Sequence, residues 1–276
     1  MRTLTHRLLC GILCLLMVTS ARATPLSELS HLDLNKLAFL IEQNETGGRE
    51  AYLTYWSPNE AFPSFGIGHF IWLPPGSEAP FSPSFLSMVR FVDRHHPAPE
   101  WLQAASPSFP WRDRADFYQA WSSEPLQTLR HWLSQTKPIQ AAFIVKRFQS
   151  QLTMRLSELP PARSQRLRQR VRVYTQFESG LLALLDYANF KGIGANARER
   201  YQGQGWGLLD VLEAMPNQAF LSSRSQRQQL VMFVKQAKII LKKRTELAPV
   251  QRNETRWLKG WYQRLDRYKS WGEAGV

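Results

Sequence analysis

Residues 41–70, "IEQNETGGREAYLTYWSPNEAFPSFGIGHF", hold Glu45, Glu50, Glu60 and His69 with two glycine pairs, 47–48 and 66/68. Carboxyl groups set close together can divide acid and base work when their surroundings push their pKa values apart. A carboxylic acid that donates a proton near neutral pH must be raised from about 4.3 toward about 6, usually by loss of solvent. Glu45 has two causes for such a rise. It follows Ile41 by four residues, which puts it on an apolar helical stripe, and it stands at the negative, C-terminal end of that helix. The plainer reading is a solvated glutamate in a last turn.

His69 has three readings: a base, a ligand, or a hydrogen bond tying a β-hairpin to the helix of Glu45. No other histidine stands at metal-binding spacing, and the adjacent His95 and His96 cannot face one site from a helix. Gly66 and Gly68 lie in a strand-like run with neither a flanking helix nor a Lys-Ser/Thr pair, so they make no phosphate loop. Ser64 lacks a G-x-S-x-G elbow and a histidine partner, which argues against a serine hydrolase. No motif asks for a cofactor.

The elements around these residues can be read from periodicity. Leu34, Leu37, Ala38 and Ile41 recur at helical spacing, and Gly47-Gly48 gives a stop. From Glu50 to Trp72 the period shortens, so "AYLTYW" and "FGIGHFIW" read as strands about a turn at "SPNE", a small hairpin or three-stranded sheet. Helical periodicity then recurs over 84–96, 113–134, 139–158, 164–189, 205–214, 218–245 and 254–268. The expected fold is α+β, predominantly α-helical, one domain over 24–276 with a front unit at 31–72 and a helical body at 83–270. Connections at 95–111 and 158–165 look like lobe boundaries.

Arg2 and Arg7, the apolar run Leu8–Val18 and the small residues Ala21 and Ala23 read as a signal peptide cleaved after Ala23, with an uncleaved anchor as the alternative. The chain would then be secreted or periplasmic. Both cysteines, Cys10 and Cys14, fall in this leader, so the mature chain would have no thiols and needs a core rather than disulfides. Removing the leader's three arginines takes the formal charge from +13 to +10. Such a charge favours an anionic envelope surface, and runs such as "ARSQRLRQRVR" and "KQAKIILKKR" would supply it. Nucleic acid fits the charge but no nucleic-acid motif is present.

"ETGG…LTYW…FPSFGIGHF" resembles the catalytic segment of the lysozyme superfamily, in particular phage-type endolysins. There a helix ends at a catalytic glutamate and a β-hairpin follows, with an acidic residue and a Thr-x-Gly-x-Gly-His run. "LLALLDYANFKGIG" (181–194) is similar to that superfamily's buried helix. Together the matches cover about 50 of 276 residues. The resemblance implies a lysozyme-like fold and cleavage of the β-1,4 bond between N-acetylmuramic acid and N-acetylglucosamine in peptidoglycan, with Glu45 as general acid. Ser64 stands in place of the threonine, and Pro58 occupies the position of the second carboxylate. Glu60 is the replacement nearest to hand, Glu50 a weaker one. A carboxyl separation of about 5 Å would favour retention and roughly 6.5–9.5 Å inversion. A lytic transglycosylase needs one glutamate only, the sugar's 6-hydroxyl attacking. Tyr55, Ser64, His69, Tyr187, Asn189, Gln204 and Trp206 are the expected substrate contacts, with Trp56 and Tyr201 beside them. Gly66 and Gly68 would let a sugar or a neighbouring backbone approach closely. The rival reading is a non-catalytic envelope protein that keeps the groove for glycan or another protein. The segment 199–212 finds no place in the resemblance beyond a suspected groove wall.

Overall fold

The computed structural model describes residues 32–77, 79, 82–104, 107–194 and 199–271; the expected leader lies outside them. The protein is predominantly helical, with small antiparallel sheets. Among the described residues no helix is long and apolar enough to cross a membrane.

Helix α1 (Leu34–Glu45) begins where the Asp33 carboxylate accepts from the backbone N–H groups of Asn35 and Lys36 at 2.9 and 3.1 Å, a side-chain cap for otherwise orphaned donors. It ends as read, because Gly47 and Gly48 take φ of +63° and +75°, a left-handed conformation that costs glycine least. Its buried face is Leu37, Ala38, Ile41 and Glu42, laid along α5. The acid lodged deepest on the stripe is therefore Glu42, which meets Lys137 at 2.7 Å. Glu45 sits at the edge of the stripe.

Strands β1 (Thr54–Tyr55), β2 (Ser64–Phe65) and β3 (Phe70–Ile71) form a three-stranded antiparallel sheet in chain order, with Thr54 opposite Phe65 and Phe65 opposite Phe70. The strands are shorter than expected. Glu50–Leu53 coils into a 3₁₀ turn, and Gly66–His69 is the β2–β3 turn rather than strand. Gln140 anchors that turn. Its side-chain oxygen accepts from the Ile67 N–H at 3.0 Å, and its amide donates to the Leu133 carbonyl and the Thr136 hydroxyl. A Cβ on Gly66 would meet the Gln140 oxygen at 2.3 Å, and one on Gly68 the Phe70 ring at 2.7 Å. The protein groups that approach these glycines are side chains, Gln140 and Phe70, where a sugar or a neighbouring backbone was the expectation.

Behind the sheet, Phe65 packs on Phe85, Trp111 and Trp72. Phe85 opens α2 (Phe85–Asp93), and Trp111 precedes α3 (Arg114–Gln119). Burial of each such ring is worth about 1.5–3 kcal/mol, enough to hold two-residue strands that have little hydrogen bonding of their own.

Three expected helices are each two. The 113–134 run divides into α3 and α4 (Glu124–Gln135), which restarts with Pro125 in its first turn, where a missing N–H costs nothing. Then comes α5 (Lys137–Ser157). The 164–189 run divides into α6 (Pro161–Thr175) and α7 (Glu178–Lys191). A Cβ on Gly180 would meet the Tyr174 carbonyl at 2.4 Å, so this glycine lets the end of α6 close on the first turn of α7. Every residue from Ser179 to Tyr187 is buried, which makes α7 the central helix.

Strands β4 (Arg200–Tyr201) and β5 (Gln204–Gly205) pair into a hairpin, and α8 (Leu208–Glu213) follows within the run 205–214 read as helix. The glycines of this segment have a physical cause. Asp210 accepts from the Gly207 N–H at 3.1 Å and from Arg200 at 3.0 Å. A Cβ on Gly205 would meet the Asp210 carboxylate at 2.3 Å, and one on Gly207 the Gly194 Cα at 2.3 Å. The 218–245 run divides into α9 (Gln218–Ser222) and α10 (Gln226–Leu247), the second started by a Ser225/Gln228 capping box. Last is α11 (Leu258–Trp271), packed on α10 and α7 through Trp261, Arg264, Leu265, Tyr268 and Trp271.

Candidate active site

Four elements converge on Glu45. The last turn of α1 carries the carboxylate, the β2–β3 turn brings His69, the end of α7 brings Asn189, and α11 brings Arg264. His69 Nδ1 lies 3.2 Å from Oε2. On Oε1, Asn189 Nδ2 donates at 3.2 Å and Arg264 Nη2 at 2.7 Å. Only 11% of the Glu45 side chain and 30% of the His69 side chain is exposed. The hairpin turn thus reaches the helix of Glu45 at His69, and Asn189, expected as a substrate contact, donates to Glu45 instead.

Behind Glu45 lies a second, fully enclosed carboxylate. Arg264 grips Asp186 with Nε at 2.9 Å and Nη2 at 2.8 Å, Asn44 donates to it at 3.1 Å, and the Tyr268 hydroxyl donates to it as well. The Phe190 ring lies 4.3 Å from the guanidinium. One arginine therefore bridges two acids through a planar fork, a task lysine could not perform.

The electrostatics correct the expectation for Glu45. Burial works to raise its pKa, as expected. The Arg264 charge, the His69 ring and the hydrogen bonds from Arg264 and Asn189 outweigh it, and the carboxyl settles below its ordinary 4.5. Glu45 is ionised at rest. Burial, helped by the Arg264 charge and opposed by Glu45, lowers His69 below its ordinary 6.5. Nδ1 of this ring faces the carboxylate at 3.2 Å, which favours the tautomer that carries the proton on Nδ1. The other ring nitrogen, Nε2, is buried with no hydrogen-bond partner among the described residues.

Other expected site residues fall elsewhere. Glu60 sits after the 57–60 turn; the residue is exposed, yet neighbouring protein desolvates its carboxyl enough to raise it above 4.5. It has no bond to the Glu45 cluster among the described residues. Tyr187, expected to touch substrate, is wholly buried and donates to the Trp206 carbonyl at 2.8 Å. Trp206 is itself buried, between Tyr201 and Arg244. The Ser64 hydroxyl is buried and donates to the Tyr55 carbonyl at 3.4 Å. Tyr55 remains half-buried against Tyr52, and half-buried Gln204 bonds the Gly205 carbonyl.

Sequence reasoning missed Arg264, Asp186 and Lys191. Arg264 was detectable, since it stands three residues after Trp261 and four before Tyr268 on one apolar stripe. So was Asp186, an acid inside "LLALLDYA". Lys191 ends α7 with its ammonium 3.4 Å from the Trp261 ring centre and 4.0 Å from Phe190. Burial, and then the charges of Arg244 and Arg264, hold it well below its ordinary 10.5. Two clefts, of about 350 Å³ over Phe91 and Phe143 and about 700 Å³ over Phe220 and Met232, lie away from Glu45. Among the described residues no three His, Cys, Asp or Glu side chains group as a metal site would.

No family model matches the chain, and neither a curated protein nor a solved structure matches it.

Proposed function

We propose that this is a lysozyme-like, secreted glycosidase that cleaves the β-1,4 bond between N-acetylmuramic acid and N-acetylglucosamine, with Glu45 as the proton-transferring group. One observation carries the reading. Three segments that resemble the superfamily's catalytic helix, hairpin and buried helix meet at a single carboxylate, through His69 and Asn189. In the reaction, protonated Glu45 gives its proton to the leaving glycosidic oxygen. As carboxylate it then faces the positive charge on the sugar and takes a proton from the attacking water or from the sugar's own 6-hydroxyl. Arg264 and His69 favour the ionised form, so the reactive acid is the minority form at pH 7 and the rate rises as the medium is acidified.

A second reading has its own support: Arg264 shifts Glu45 in the direction opposite to what a resting proton donor needs, as a groove retained only for binding glycan would allow. One experiment separates the two. The purified protein and its Glu45→Gln variant are incubated with peptidoglycan at pH 5, and soluble products are identified by mass spectrometry. Muropeptides released by the wild type alone support the glycosidase, and a water-sized mass deficit at the muramic end assigns a transglycosylase. Retention on the wall by both proteins, with nothing released, refutes catalysis and leaves the binding protein.

A further inference from the structure

The solvent-facing side of α9 and α10 has no part in the Glu45 site. On α9 and α10, Phe220, Val231 and Ile239 are 41%, 41% and 51% exposed. Val231, Lys235, Ile239 and Lys242 succeed one another at steps of three or four residues, which aligns them on one face of the helix. Arg224 continues that line toward α9, its guanidinium 4.3 Å from the Phe220 ring. Together with Arg224 and Met232, Phe220 and Val231 line the cleft of about 700 Å³. From Val231 to Lys242 the face runs about 16 Å at 1.5 Å per residue. The chain has no Asp or Glu between Glu213 and Glu246, and Glu246 meets Lys242 and Lys243 only at the far end, at 3.9 and 3.6 Å. The other basic run, on α6, is partly spent within the fold. Arg163 pairs with Glu213, and Arg170 donates to the carbonyls of Glu213 and Pro216.

We propose that the α9–α10 face is a docking surface for an anionic phospholipid bilayer, on which α10 lies parallel to the membrane. Cations alone would suit any polyanion. Exposed Phe, Val and Ile set between them suit a lipid interface, where apolar side chains enter the headgroup boundary while Lys and Arg meet phosphate. A polysaccharide or nucleic acid would leave those apolar side chains in water.

The test is flotation of the full chain with vesicles of phosphatidylglycerol in phosphatidylcholine, against vesicles of phosphatidylcholine alone. Binding to the anionic vesicles only, weakened severalfold between about 0.05 and 0.5 M salt as screening shortens, is expected. The triple variant Phe220→Ser/Val231→Ser/Ile239→Ser should bind at least tenfold more weakly, and so should Arg224→Gln/Lys235→Gln/Lys242→Gln. Val231→Glu, one change at an exposed position, should act in the same direction with the fold intact by circular dichroism. Equal binding to neutral vesicles, or unchanged binding by Val231→Glu and the triple variants, overturns the proposal, since a leader or another face would then be responsible. Loss in the charge variant with full binding in the apolar variant also overturns it, in favour of an anionic polymer.

Discussion

Two glutamates, the partly buried Glu45 and the buried Glu254, are both held by arginine, yet their surroundings differ in one respect. Glu254 is completely enclosed. Arg244 binds it through two nitrogens at 2.7 and 3.0 Å, Arg252 approaches at 2.9 Å and the Tyr201 hydroxyl donates at 2.9 Å. It joins the 200–205 hairpin to α10 and to the turn before α11, and both oxygens are committed. Glu45 has its arginine on Oε1, while among the described residues Oε2 faces His69, and the side chain keeps 11% of its surface open to solvent. A carboxylate with both oxygens committed serves architecture. One with an oxygen edge left open can still exchange a proton with something from outside.

Substitutions break or sharpen this contrast. The largest effect is expected from Glu45→Gln, which should lower muropeptide release by about 10²–10⁴-fold, the range for loss of a general acid. Its melting temperature should stay within a few degrees of the wild type, because Arg264 keeps Asp186. Asp186→Ala should do the reverse: a buried arginine loses its principal acceptor, and urea unfolding should report a loss of about 3–5 kcal/mol. Glu254→Gln should cost about 3 kcal/mol by the same mechanism and the same measurement, with activity per folded molecule unchanged. If Glu254→Gln abolished release while Glu45→Gln spared it, the roles assigned to the two carboxylates would be exchanged.

Smaller effects concern pH. Asn189→Ala removes one of the hydrogen bonds that hold Glu45 below 4.5, so its rate profile should move toward higher pH even where the maximal rate falls. For stability, the sign follows from where each proton binds. His69 is lowered in the fold, so the folded protein resists its protonation and stability declines as pH falls below the unfolded value near 6.5. Glu45 is also lowered, so its contribution is complete above its unfolded 4.5 and disappears as pH falls through the folded value. Thermal melts from pH 7 to 3 should therefore show two successive declines, and His69→Gln should remove the first and shrink the second, since His69 helps to hold Glu45 low.

Much of the α1 end of the site was legible in the sequence, because helix period, glycine stop and hairpin turn are all local signals. The meeting of Glu45 with His69 follows from them. The sign of the Glu45 shift does not, since it is set by Arg264, 219 positions away. No local pattern pairs two such residues, though an arginine on an apolar stripe demands a buried acid and "LLALLDYA" offers one. Tyr187 misleads for a related reason: a phenol reads as a sugar platform when its hydroxyl partner, here the Trp206 carbonyl, is invisible. The strand lengths were overestimated because "FGIGHF" alternates like a strand, while Gln140, from a distant helix, bends it into a turn. The helix divisions at 176 and 223 left no proline to mark them.

The reach of Arg264 also fixes an order of events. Synthesis proceeds from the N-terminus, and a contact between residues 45 and 264 cannot form until everything between them has been made. A growing chain already contains Glu45, His69 and then Asn189, but Glu45 lacks the cation that sets its charge and Asp186 lacks the partner that stabilises it. Docking of α11 supplies the last of these groups, so the charge of Glu45 is set only once residue 264 has been made.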